Sequence, residues 1–259
     1  MNKIVIGEAV RTAWRFWRGN TRAAAGALGL ATAGFVLSDW GKASGEPPLQ
    51  LFGILANLSG SLMGAGALFR MDLADLHPGD PAFRAGPGGF QWGRQELRLL
   101  GTGLLVLAAL VAPMLVIGGG GFALSRGLGG ADAHPTAAAT VVETLSTALG
   151  FCLGVYLAAR LALGPAASVA AKRFTTGWAL TRGRVWPILG AYLATLGPVI
   201  LVYVALGATL SLIAPAQASL AMLAGIILVI GILVTFVQLP LAVGVLAHLY
   251  RKATAEPVR

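Results

Sequence analysis

Six long apolar stretches, at 23–38, 51–69, 99–117, 141–163, 188–213 and 220–250, alternate with short polar or glycine-rich segments along this chain. A helix needs about 20 mainly apolar residues to cross the hydrocarbon of a bilayer. It also satisfies its own backbone donors and acceptors, which lipid cannot do. The pattern therefore predicts an all-α polytopic membrane protein, with six transmembrane helices paired as three helical hairpins in a single domain, 1–259. The first stretch is mostly Ala and Gly, and its flanking charges identify it as much as its apolarity does. The fifth and sixth are longer than a bilayer requires. Pro198 and Pro240 predict kinks in them, because proline lacks the helical N–H and crowds the preceding turn.

The connections differ between the two ends of these helices. At one end, 39–50 carries Pro47 and Pro48, 118–140 opens on four glycines that read as a helix stop, and 214–219 is a tight turn. At the other, 71–89 holds Pro78, Gly79, Pro81, Pro87, Gly88 and Gly89 and reads as a flexible linker.

Two more segments, 3–22 and 166–184, are amphipathic. The first places Ile6, Val10, Trp14 and Trp17 on one helical face, with Arg11, Arg15, Arg18 and Arg22 in a stripe beside it. That arrangement predicts an interfacial helix in the headgroup plane, its tryptophans among lipids and its guanidinium groups reaching phosphates. The second repeats the design more loosely with Lys172, Arg173, Phe174, Trp178, Arg182 and Arg184. Anionic-lipid binding, partner docking and simple topological anchoring all use such a helix.

Charge assigns the sides. Counted from the N-terminus, the seven segments outside the apolar stretches hold 5, 1, 4, 1, 5, 0 and 3 Lys and Arg, with Arg160 counted in the fifth. One side thus carries 17 of the 19, and the positive-inside rule makes that side the cytoplasm. With Ala, Gly and Arg abundant and Lys scarce, the expected setting is a bacterial inner membrane, both termini cytoplasmic and no cleavable signal peptide. Only 11% of residues are charged, far below the roughly 25% of soluble domains. The net charge of +9 flanks apolar helices, so anionic phospholipid and not nucleic acid is the expected partner. Cys152 is the single cysteine, which excludes an intramolecular disulfide.

A repeat runs through the chain. Trp14, Arg18, Gly19 and Gly26 match Trp178, Arg182, Gly183 and Gly190 in spacing, and the even-numbered helices end on Arg70, Arg160 and Arg251. The reading is three parallel units, each an interfacial helix followed by a hairpin. Two small-residue pairs, Gly60/Gly64 and Gly150/Gly154, predict close helix packing, first within one chain and otherwise between copies.

Reactive chemistry is scarce. Asp72, Asp75, His77 and Asp80 have the right residue types for a divalent metal, but their spacing fits no known loop, so a solvated turn neutralising Arg70 and Arg84 is expected. Glu143, Arg160 and His248 lie near helix ends, where Arg can reach the interface. The signatures of serine hydrolases, phosphate-binding loops and zinc proteases are absent from the sequence. No catalytic, cofactor or metal residue is assigned.

The stretch 159–194, with Arg160, Leu161, Leu163 and Pro165, then Trp178, Thr181 and Gly183, then Trp186, Leu189 and Gly190, resembles a bacterial membrane family. That family includes YciC-like proteins and the membrane domain fused to some glycerophosphodiester phosphodiesterases. The opening 6–20 is similar to the family's opening. The resemblance implies a six-helix inner-membrane module without catalytic residues of its own. The expected function is non-enzymatic: binding lipid or a membrane partner in envelope organisation or as a subunit of a complex. The alternative is a small-solute transporter, drawing on Asn57, Ser59, Thr235 and Gln238.

Overall fold

The computed structural model describes residues 5–129, 137–171, 173–212 and 220–255. Helix α1 (Ile6–Asn20) leads through a 3-10 turn (Thr21–Ala24) into α2 (Ala25–Ser44), followed by α3 (Pro47–Leu73) and α4 (Arg94–Pro113). A π-helical turn (Met114–Gly118) joins α4 to α5 (Gly119–Gly129), and α6 (Ala137–Leu161) returns. Two short helices, α7 (Gly164–Ala170) and α8 (Thr175–Leu180), precede α9 (Val185–Leu212). Last come α10 (Leu220–Ile232), a second π-helical turn (Leu233–Gln238) and α11 (Leu239–Thr254). Six of the helical stretches are long and apolar enough to cross a membrane. The chain is an all-α, multi-pass membrane protein.

Several boundaries differ from the sequence reading. The first span is 25–44, not 23–38, and the expected connection 39–50 shrinks to a turn at Gly45, whose φ of 70° is left-handed. Pro47 and Pro48 open α3, where a missing N–H costs nothing. The glycines at 118–121 do not stop a helix; helical turns run through them to Gly129. Leaving the helix at membrane depth would strand backbone groups in hydrocarbon, which outweighs the roughly 1 kcal/mol cost of a helical glycine. A Cβ at Gly121 would collide with Ser146 of α6, so the bare backbone also serves packing. The linker 71–89 is three 3-10 turns that bury Phe83 and set Gly89 against Ala24 and Ala27. Pro240 follows a π-helical turn, whereas α9 passes Pro198 without a change of helix type. The expected turn 214–219 lies outside the described residues.

The segment 166–184 is not one interfacial helix. It splits into α7 and α8, and α7 lies in the protein core with Ala166, Ala167, Ser168, Val169 and Ala170 buried. Its run of small residues lets α3, α4 and α11 close around it. The proposed equivalence with α1 weakens accordingly: Gly19 sits inside α1, while Gly183 is a turn residue at φ 73°.

Glycine brings α2 and α3 into backbone contact. A Cβ at Gly34, Gly53 or Gly60 would collide with backbone atoms of Asn57, Ser38 or Ala31 respectively. The Asn57 amide donates to the Ala31 carbonyl across the same seam, at 2.8 Å. In the next hairpin, Gly150 faces the backbone of Pro113 and Met114, and Gly154 faces the Leu110 carbonyl. Gly64 lies against the Leu28 side chain. All four glycines of the two small-residue pairs therefore pack against the chain's own helices.

Helix α1 docks on protein. Its buried residues are Ala9, Ala13 and Phe16, with Trp14 and Trp17 half-buried and Ile6 exposed, so the covered face is turned by one residue from the expected one. Small Ala side chains explain the shift: Gly244 of α11 comes against Ala13 and Phe16 at a separation larger side chains would forbid. Contacts then run in opposite directions along the two helices, from Glu8–Lys252 through Gly244 to Trp17–Phe236. Pro240 cannot donate to the carbonyl four residues before it, and that carbonyl, Phe236, accepts from the Trp17 indole at 2.6 Å.

Candidate functional site at the basic end

Arg70, Arg160 and Arg251, the arginines that end the even-numbered spans, all turn inward at one end of the bundle. Arg70 is 1% exposed and forms an ion pair of 2.5 Å with the equally buried Glu96 of α4. The same Nη1 donates to Gln95 Oε1 at 3.0 Å, while Arg70 Nε and Nη2 have no partner among the described residues. Arg160 stacks over the Trp178 ring at 4.4 Å, and its carbonyl accepts from the Thr181 hydroxyl. Arg251 holds the Asp72 carbonyl and Oδ1, each at 3.0 Å, and lies 4.0 Å from Asp75. Each guanidinium thereby ties its own span to a different part of the chain.

This arrangement corrects two expectations. The loop carboxylates do not neutralise Arg70 and Arg84: Glu96 takes Arg70, Arg251 takes Asp72, and Arg84 forms no ion pair among the described residues. Arg160 does not reach for the interface but is 9% exposed beneath Trp178. The missed Arg70–Glu96 pair has a sequence signal: opposite charges flank consecutive spans on the same side, and Gly66, one turn before Arg70, leaves space that a Cβ would deny to Glu96. Burial of such a pair demands good geometry, since each ion loses its hydration.

The acidic loop does not converge on a metal. Asp72 and Asp75 face Arg251, Asp80 Oδ1 accepts the Ala82 N–H at 2.9 Å, and His77 stacks on Phe83 at 4.3 Å. Among the described residues no three His, Cys, Asp or Glu side chains come together as ligands.

A second set of arginines faces outward. Arg11, Arg15, Arg18 and Arg22 are exposed along α1 and its extension. Arg173 and Arg182 are exposed beside α8, and Arg98 is half-buried on α4. None of these seven forms an ion pair among the described residues. Of the other residues proposed for the interface, Trp14 and Trp17 meet edge to face at 5.4 Å against the core. Trp178 is exposed and covers Arg160, Arg184 is half-buried, and Lys172 lies outside the described residues.

Between α4 and the α7–α8 region is a cavity of about 500 Å³, lined by Arg98, Thr102, Leu105, Ser168, Arg173 and Phe174 among others. Sequence reasoning found Arg173 but not Arg98, because α4 comes beside α8 only through the burial of α7. The seven outward arginines and the polar and apolar walls of this cavity can hold an anion at the bundle surface; no nucleophile with an activating base is assembled there. No protein-family model, no curated protein and no solved structure matches this chain.

Proposed function

We propose that this protein is a non-enzymatic component of a bacterial inner membrane, its basic end in the cytoplasm, that binds anionic phospholipid and serves envelope organisation. The observation that carries this reading is the division of the arginines. Three are consumed in holding the bundle together, while nine at the same end, Arg84 and Arg94 among them, have no ion pair among the described residues. Unpaired guanidinium groups beside apolar helices suit the phosphates and negative potential of a cytoplasmic leaflet. The likeness of 159–194 to YciC-like membrane modules is compatible with this reading.

The transport alternative would need polar side chains along a path. Asn57 instead bonds the Ala31 carbonyl, Thr235 pairs with Thr32 at 2.5 Å, and Gln238 accepts from Tyr203 at 3.1 Å. Packing occupies three of the four polar groups that this alternative draws on, with Ser59 half-buried on α3, which favours binding over transport.

The test is the triple variant Arg11→Gln, Arg15→Gln, Arg18→Gln, purified in mild detergent. Loss of most co-purified phosphatidylglycerol, with folding unchanged by circular dichroism, is the expected result. Lipid retention equal to the wild type would overturn the reading.

A further inference from the structure

We propose that the cavity between α4 and the α7–α8 region is a discrete site for the phosphate headgroup of one anionic phospholipid. The inference rests on the reading of the basic end as a lipid-binding face and narrows it to one place. At about 500 Å³ the cavity falls within the roughly 300–1,000 Å³ of ordinary ligand sites. Arg98 comes to it from α4 and Arg173 from the connection before α8. Neither has an acidic partner among the described residues. Glu96, two positions from Arg98 and so on another face of α4, is committed to Arg70.

Two guanidinium groups lining one cavity repel each other. A phosphate between them replaces that repulsion with charge-assisted hydrogen bonds, which the planar guanidinium can make two at a time. The hydroxyls in the wall are accounted for in the same way. Ser168 donates to the Pro165 carbonyl and Thr102 to the Arg98 carbonyl, so neither offers its proton. The Thr175 hydroxyl lines the cavity with no side-chain hydrogen bond among the described residues and can donate. The recognition elements are thus two cations and one hydroxyl, a set suited to an anion and to nothing cationic.

The apolar wall decides between a lipid and a free anion. Leu105 and Phe174, 38% and 46% exposed, line the same cavity as the two arginines. Leu105 is seven residues past Arg98, about 10 Å farther along α4 toward the membrane interior. That is the depth of a glycerol backbone and the first acyl methylenes when the phosphate lies at Arg98. Inorganic phosphate would leave this wall bare.

The test titrates the full-length protein in mild detergent with palmitoyl-oleoyl phosphatidylglycerol, followed by native mass spectrometry, with phosphatidylcholine of the same chains and inorganic phosphate in parallel. One tightly held phosphatidylglycerol is expected, weakened at least tenfold in the double variant Arg98→Gln, Arg173→Gln. Leu105→Trp, which fills the apolar wall at a surface position and keeps both arginines, is expected to weaken it by a similar factor. Unchanged affinity in both variants would overturn the proposal, as would displacement of the lipid by equimolar inorganic phosphate. The α1 triple variant separates the two levels: it should deplete the loosely held lipids and spare the tight one. Loss of the tight lipid in that variant alone would leave the general reading standing and remove the cavity from it.

Discussion

The hairpins α2–α3 and α4–α6 are zipped by the same device, glycine against backbone, yet they end in different surroundings. About a third of the most apolar part of each of α2 and α3 is buried, against 6% for α4–α5 and 11% for α6–α7. Leu115, Val116, Leu145 and Leu149, all at least 60% exposed, project from the second hairpin. The difference lies in polar anchors. Arg70–Glu96 ties the two hairpins to each other, and the first alone has a further polar tie along its span, the buried Thr32–Thr235 hydroxyl pair to the π-helical turn before α11. The second joins the core at Leu99, Thr102 and Arg160, and beyond those residues it packs mainly on itself. Small residues allow two helices to pair, but in lipid, where apolar surface alone gives no preference for protein, a specific polar contact decides which pair is embedded.

The largest expected effect comes from breaking the ion pair that joins the two hairpins. Arg70→Ala leaves Glu96 buried without a partner and should cost about 3–5 kcal/mol, read as a lower unfolding midpoint in detergent. The apolar pair Arg70→Met with Glu96→Leu should regain most of that loss; equal destabilisation of single and double variants would show that the pair is not the anchor. A smaller effect is expected from the zipper. Gly53→Leu drives a side chain into the Ser38 backbone and should cost about 1–3 kcal/mol or more, whereas Gly103→Leu on α4, with open space beside it, should be neutral. Equal midpoints for these two variants would show that close approach at glycine does not hold the hairpin.

Trp17→Phe removes the donor to the Phe236 carbonyl and should cost about 1 kcal/mol. In a Pro240→Ala background, where residue 240 regains an N–H for that carbonyl, the penalty should shrink, and a double-mutant cycle measures the difference. The smallest effect belongs to the outward face of the second hairpin: Leu115→Ala and Val116→Ala should each shift stability by less than about 0.5 kcal/mol. A large loss at either position would mean that this face is covered by more than lipid.

The features legible from the residues were those that depend on local composition. The number of spans follows from apolar length, and the outward arginines of α1 follow from helical spacing. Gly60, Gly64, Gly150 and Gly154 announce close approach because a missing Cβ has few other uses in a membrane helix. The failures came where two distant segments meet. Residues 166–184 carry the composition of an interfacial helix, and nothing local reveals that Gly164–Ala170 will be enclosed by three other helices. The covered face of α1 was misplaced for a related reason: hydrophobicity points to Trp14 and Trp17, but a helix seeking contact with Gly244 turns its smallest residues inward.

Sequence alone determined the solvent of this protein, since about 20 apolar residues in a row can be satisfied in hydrocarbon by a helix and by little else, and it determined that one end is basic. Only the tertiary structure decided which arginines are structural and which are free. An arginine at the end of a span turns inward only where a partner offsets its lost hydration, so the choice depends on whether a carboxylate or an aromatic ring from another part of the chain waits beside it. Glu96 waits for Arg70 and Trp178 for Arg160, while Arg98 and Arg173 meet only each other's cavity.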